Sequence, residues 1–268
     1  MRTTIWKIVL TTFIAISIFA SCKNNKLEEH VVLIETDMGN IKIKLYDETP
    51  EHSDNFIKLA KNKHYDDVVF HRVIDKFMIQ GGDVTTSPNF DSTKFDPNYT
   101  IEAEFSQKFI HKKGAIAAAR MGDDINPEKK SSGTQFYMVQ GKKFTEKELK
   151  TLVNKKNRML KTSVINRMVM EKGDEQLAKG VEPDYTEIYR AMKDTIDLVI
   201  SRTPKYGYTE EQIQTYITTG GTPHLDGDYT VFGEVIEGFD VIDKIAAVKT
   251  NQSDKPLKDV RMKIKVLK

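Results

Sequence analysis

Short apolar or alternating runs, punctuated by turn residues, recur on both sides of one long stretch of helical period. This pattern limits the fold more than any other feature. Residues 31–35 are rich in β-branched side chains, and residues 36–40 (Thr-Asp-Met-Gly-Asn) supply turn chemistry. Ile41, Ile43 and Leu45 then alternate with Lys42, Lys44 and Tyr46, the period of a half-buried strand. Residues 68–80 are strongly apolar and end at Gly81-Gly82, which predicts a strand pair followed by a tight turn. Further strands are predicted at 101–105, 114–119, 134–139 and 229–236. The last strand alternates Val260, Met262, Ile264 and Val266 with Arg261, Lys263 and Lys265. Thr49-Pro50 reads as an N-cap and first helical position, with Phe56, Leu59 and Ala60 as the buried face of a helix ending near Lys63. Val241, Ile245 and Ala246, with Val248, predict a second short helix. Many short strands with two helices imply a closed β-barrel capped by helices.

The stretch from about 145 to 219 breaks this rhythm. Thr145 to Glu148 form a capping-box pattern, and Leu149, Leu152, Val153, Leu160, Val164, Ile165 and Met168 follow at helical spacing. Tyr185, Ile188, Tyr189, Met192, Ile196, Val199 and Ile200 trace a second stripe, and Thr209 to Gln212 cap a third, shorter helix. We read a helical insertion inside a β-domain spanning 31–268, with the two stripes forming the insertion's own core. Residues 142–172 hold ten Lys/Arg against three Asp/Glu. That excess suits either a solvated helix face or a patch for anionic headgroups or acidic clients.

The first 21 residues read as an address. Arg2 and Lys7 precede an uncharged run from Ile8 to Ala20, too short for a membrane span, which needs about 20 apolar residues. Phe19-Ala20-Ser21-Cys22 resembles a bacterial lipobox, in which the cysteine becomes the lipidated first residue. An ordinary signal peptide with a chance cysteine is the alternative. The lipobox reading makes 1–21 a lipoprotein signal peptide and 22–30 a polar tether. It places the protein in a bacterial cell envelope, on the periplasmic or outer-membrane side, held to the membrane by lipid on Cys22. Without Arg2 and Lys7, the 41 basic side chains fall to the same number as the 39 acidic ones. No basic field therefore argues for nucleic acid.

Covalent and metal chemistry find little support. One cysteine makes neither an internal disulfide nor a Cys-cluster zinc site, and the six histidines show no ligand spacing on any one element. There is no phosphate-cradling glycine loop and no serine elbow. What stands out is Phe70-His71-Arg72-Val73-Ile74-Asp75-Lys76-Phe77-Met78-Ile79-Gln80-Gly81-Gly82-Asp83. By residue type alone it is a core strand with one exposed arginine.

The full string resembles the signature of cyclophilin-type peptidyl-prolyl isomerases. Residues 114–120 (Gly-Ala-Ile-Ala-Ala-Ala-Arg), 132–138 (Ser-Gly-Thr-Gln-Phe-Tyr-Met), 225–227 (Leu-Asp-Gly) and 230–235 (Thr-Val-Phe-Gly-Glu-Val) match further family segments in the right order. The match covers roughly 31–144 and 220–268. The resemblance implies a mainly β fold, a closed eight-stranded antiparallel barrel capped by two helices and here carrying the helical insertion. It implies rotation about X–Pro bonds of unfolded or flexible polypeptides during the folding of exported proteins, without cofactor or metal. By the same match Arg72 and Gln80 are the catalytic pair. Phe77, Met78, Tyr137 and Leu225 form the proline pocket. Gln135 and the backbone of Ala119 and Arg120 hold the residue before proline, and His224 and Tyr229 complete the substrate site. Tyr137 stands where many members have Phe, His224 where eukaryotic members have Trp, and Tyr229 where they have His. These departures bear on cyclosporin affinity more than on isomerisation.

A different class of reading is a binding module, a cyclophilin-fold chaperone with little turnover acting through its insertion. The insertion returns to the barrel just before His224 and Leu225, so it is expected to shape client access while leaving turnover of small peptides intact.

Overall fold

The computed structural model describes residues 30–267, so the expected signal peptide, Cys22 and most of the tether lie outside the described residues. The elements run β1 (Val31–Thr36), β2 (Gly39–Leu45), α1 (Pro50–Lys61), β3 (Val68–Val69), β4 (Arg72–Ile74), β5 (Met78–Gly81), β6 (Thr100–Ile101), β7 (Ala115–Ala118), β8 (Ser131–Ser132) and β9 (Phe136–Val139). They continue as α2 (Glu146–Leu177), α3 (Tyr185–Arg202), α4 (Glu210–Thr218), β10 (Val231–Glu237), α5 (Phe239–Ala246) and β11 (Arg261–Val266). Among the described residues no helix is long and apolar enough to cross a membrane.

The expected mainly β architecture is present as a curled antiparallel sheet, with one strand more than the eight expected. Among the described residues the main sheet has nine antiparallel strands in the order β3-β11-β1-β2-β10-β7-β9-β5-β4, and β6 and β8 form a separate pair. The end strands β3 and β4 do not pair with each other, so the hydrogen-bond ladder stays open. They are nonetheless successive in the chain, linked only by Phe70 and His71. Three peptide steps reach about 11 Å at most, so the sheet must curl until its two ends meet. The curl encloses one core. Ile34 and Ile43, Ile79, Ile116, Met138, Phe232 and Ile264 from strands all around the sheet pack there with Phe56 of α1 and Ile242 of α5.

The β1–β2 hairpin forms at the turn the sequence places there, and Val32 faces Ile43 while Ile34 faces Ile41. Helix α1 departs from its expected start. The Thr49 hydroxyl turns back to the Tyr46 carbonyl and makes no cap bond. Glu104 serves instead: its carboxylate accepts from the Glu51 and His52 amides at 3.2 and 3.0 Å and lies 2.6 Å from His52 Nδ1. Burial pushes the His52 ring below the usual histidine value and outweighs the pull of Glu104, so the ring is a neutral donor. This also explains why the strand expected at 101–105 stops at Ile101, since the chain leaves its ladder to bring Glu104 to the helix.

The insertion is stitched at its base. Lys142 and Gly221 exchange backbone hydrogen bonds at 3.2 and 2.9 Å, so the chain leaves and re-enters the sheet at one spot. A Cβ on Gly221, whose φ is +156°, would lie 2.2 Å from the His111 carbonyl, so only glycine passes here. The expected capping box of Thr145 with Glu148 forms, and the cap expected at Thr209 is also a full box with Gln212. Val169, Ile188 and Ile196, with Ile165, Met168, Met192 and Ile200, make a core between α2 and α3 separate from that of the sheet. Leu160, Tyr185 and Tyr189 of the expected stripes stay largely exposed.

Glu104→Ala strips partners from three donors at the start of α1. It is expected to lower the unfolding free energy by about 1–3 kcal/mol. The check is a reduced urea midpoint at unchanged slope, and an unmoved midpoint would show that water caps the helix equally well.

Candidate active site

The strands β4, β5, β9 and β7 lie side by side, and their register sets the site. Arg72 pairs with Gln80, Gln80 with Tyr137, and Tyr137 with Ala117. Side chains directly opposite in an antiparallel sheet share a face, so these four stand in one row on the outer surface. Period 2 puts Met78 and Val139 on the same face and turns Ile79, Phe136 and Met138 into the core. Met78, Ala115, Ala117, Ala119, Tyr137, Val139 and Val231 form a second apolar cluster, with Phe77, Leu225 and Tyr229 packed on it. The alanines of β7 matter by being small, because they leave room above the sheet. The result is a pocket of about 200 Å³ lined by Arg72, Phe77, Met78, Gln80, Ala119, Arg120, Tyr137, Leu225 and Tyr229.

Every described candidate residue is at this place. Nine line the pocket, and the other two support it. Gln135 accepts from the Gln80 amide nitrogen at 3.1 Å, and His224 stacks on Phe77 with ring centroids 5.5 Å apart. Arg72 stands at the mouth, its side chain 44% exposed, with Gln80 Oε1 at 3.5 Å and Asp254 Oδ2 at 3.7 Å. Both contacts are long, so they aim the guanidinium without tying it down. Burial pushes the Tyr137 phenol well up, reinforced by Tyr229 and Asp226, so its hydroxyl stays protonated. Burial also lowers His224 below the usual value, with His111 and Lys156 acting in the same direction.

One expectation changes in detail. The Ala119 amide is already bound to the Gln135 carbonyl at 2.9 Å, so it cannot also donate to a peptide. The Arg120 side chain is only 5% exposed. It bonds the Asp228 carbonyl at 2.7 Å and Asp123 at 2.7 Å, and its guanidinium sits 4.6 Å from the Tyr229 ring centre. It therefore sets the angle of Tyr229.

Three residues of the neighbourhood escaped sequence reasoning. Asp254 lies 182 positions from Arg72 and nothing in its local pattern marks it. His111 and Asp226 lie buried behind Tyr137, Nε2 and Nδ1 of the histidine standing 2.9 Å from the Tyr137 hydroxyl and 2.7 Å from the Asp226 carboxylate. The Leu-Asp-Gly segment was the one available signal for Asp226. A larger groove of about 860 Å³ lies between the end of β2, residues 107–112 and α4, and it contains none of the candidate residues.

The combination is an apolar recess with an exposed guanidinium at its mouth. It suits a small ring whose attached amide must meet a hydrogen-bond donor. Pockets for drug-sized ligands run to about 300–1,000 Å³, so this one takes a single side chain or ring.

Comparison with known proteins agrees with this geometry. The family model described as cyclophilin type peptidyl-prolyl cis-trans isomerase matches residues 31–157 and 138–266, two overlapping stretches that together span nearly all described residues. A protein of Staphylococcus saprophyticus named as a peptidyl-prolyl cis-trans isomerase is 32% identical over 231 residues, 85% of this chain and 87% of the relative. A likewise named protein of Staphylococcus haemolyticus is 31% identical over 230 residues, 85% and 86% of the two chains. The crystal structure of a Cryptosporidium parvum cyclophilin type peptidyl-prolyl cis-trans isomerase, determined in the presence of the dipeptide Ala-Pro, aligns with a TM-score of 0.52 at 17% identity. The alignment covers 89% of this chain and 99% of that one, a likeness of fold. On the family match and the identity to these relatives, the chain belongs to the cyclophilin-type peptidyl-prolyl cis-trans isomerase family.

Proposed function

We propose that this protein accelerates cis–trans rotation about X–Pro bonds in exported polypeptides, held at the membrane of a bacterial cell envelope by lipid on Cys22. The observation that carries the isomerase reading is the Arg72–Gln80–Tyr137 row, which sets a guanidinium at the mouth of an apolar pocket. The crystal neighbour's Ala-Pro dipeptide supports a proline-containing substrate.

The barrier to rotation is amide resonance, about 18–20 kcal/mol. No bond breaks. Whatever weakens C–N double-bond character in the twisted state speeds the reaction. As the bond twists, the proline nitrogen becomes pyramidal and its lone pair turns into an acceptor. A guanidinium hydrogen-bonded to that nitrogen holds the lone pair out of resonance. Arg72 supplies this donor, because it is always charged and its N–H groups are rigidly arranged. The bond exists only in the twisted state, so it raises turnover more than affinity. Phe77, Met78, Tyr137 and Leu225 take the proline ring and fix the axis of rotation. Gln80, held by Gln135, aims Arg72.

The anchored, exported setting rests on the sequence: Arg2 and Lys7, the apolar run, Phe19-Ala20-Ser21-Cys22 and the polar residues after it. Expressed in a bacterium, Cys22→Ala is expected to move the protein from the membrane to the soluble fraction. Retention in the membrane would overturn the anchor.

Isomerisation of a short Ala-Pro peptide by residues 23–268 tests the reaction. Arg72→Ala is expected to cut turnover about 10²- to 10³-fold with peptide affinity within about threefold. A folded wild type that binds the peptide without accelerating it would turn the reading to the binding module.

His224 adds a pH test. Its value lies below 6.5, so it is neutral at pH 7 and above. Seating a peptide desolvates the rim further and favours the neutral ring again. The KM of the peptide is therefore expected to be flat from pH 7 to 9 and to rise as pH falls below 6.5. His224→Phe should remove the rise, and a rise that persists would assign it elsewhere.

A further inference from the structure

The insertion reaches the pocket by two routes, and both converge on residues 224–229. Lys156 of α2 donates to the Asp226 carbonyl and lies 3.1 Å from the Asp228 carboxylate. Tyr208, in the link before α4, and Tyr216, on α4, place their hydroxyls 2.8 and 2.5 Å from Asp226 Oδ2. The other oxygen of Asp226 takes the His111 amide and His111 Nδ1, each at 2.7 Å. With Nδ1 held there, Nε2 of the same ring lies 2.9 Å from the Tyr137 hydroxyl and hydrogen-bonds with it. His111 and Tyr216 are both 0% exposed, so no water substitutes for a lost partner.

We propose that Tyr208 and Tyr216 of the insertion are positioning residues for the proline pocket, acting through Asp226 and His111 on the ring of Tyr137. This rests on the peptide-binding half of the function proposed above. The Tyr137 ring is the pocket wall, and nothing in a β-strand fixes its tilt. The His111 bond does so, and the two rings lie nearly parallel, at 13°. His111 is in turn held by a carboxylate whose four donors include two from the insertion. Leu225 and His224 sit on the same loop as Asp226 and move with it. The insertion is thus a structural part of the pocket, and the expectation that its loss would spare small peptides is reversed.

The test uses residues 23–268 with Tyr208→Phe and Tyr216→Phe together, a change that removes two hydroxyls and leaves both rings. Affinity for an Ala-Pro peptide is measured by NMR titration beside the thermal midpoint and turnover. The pair is expected to weaken affinity about tenfold and raise KM alike, with kcat within about threefold in fully folded protein. A bystander role in stability would lower the midpoint and leave KM unmoved. In a Tyr137→Phe background the relay has already lost its last member, so the same pair should cost less than about threefold. Unchanged affinity in folded double variant, or the same tenfold loss in both backgrounds, would overturn the proposal. If the double variant fails to fold, Tyr208→Phe alone, at the half-buried position, takes its place with the same criteria. A wild type that binds without turnover sinks the isomerase reading while affinity still judges the relay. A wild type that does not bind sinks both.

Discussion

A strand buried on both faces has no polar side to spare; β7 and β9 are two such strands, and β5 beside them is buried at every residue but Gln80. Ile79, Ile116, Phe136 and Met138 fill the inside of the curl. Met78, Ala115, Ala117, Tyr137 and Val139 would be stranded outside it unless something covered them. Phe77, Leu225 and Tyr229 cover part of that outer surface, and the uncovered remainder is the pocket. The site is therefore the place where the second face of a doubly buried sheet is incompletely closed. Its polar members, Arg72 and Gln80, sit where the apolar row reaches the edge strand and water begins.

The curl that makes this possible is imposed by chain connectivity. Phe70 and His71 tie β3 to β4, so the two ends of the sheet cannot separate, although no ladder joins them. The arrangement places Arg72 on the last strand, beside the loop that carries Asp254. The insertion obeys a related economy. Because Lys142 and Gly221 pair at its base, it leaves and re-enters the β-domain at one spot, and its contacts with the site come through Lys156, Tyr208 and Tyr216.

What the sequence made legible was mostly local. The alternation in β11, the hairpin turn before Gly39 and the caps at Thr145 and Thr209 depend on residues within one or two turns of each other, and all form as read. The Thr49 cap failed because a residue 55 positions away, Glu104, offers a stronger acceptor, which propensity within the helix cannot reveal. The same carboxylate shortened the strand expected at 101–105. The number of strands and the open ladder are properties of pairing at long range, and periodicity is blind to them. The candidate site was legible through its ordered motifs, since each lies on one strand or loop. His111 was not, because its meaning comes from Asp226 and Tyr137, 115 and 26 positions away.

On the proposed mechanism so exposed a residue as Arg72 carries catalysis, and its surroundings give the physical reason. In the free protein its contacts at 3.5 and 3.7 Å are too long to hold the charge firmly, and water screens it. A peptide seated on Phe77, Met78 and Tyr137 covers the guanidinium and displaces that water. The same charge then acts in a medium of lower dielectric, where its interaction with the proline nitrogen strengthens several-fold. On that mechanism the apolar pocket does two things at once. It selects a ring that fits, and by filling it makes the arginine a better donor at the moment the bond twists. Pocket geometry and charge are coupled, and a displaced Tyr137 ring weakens both.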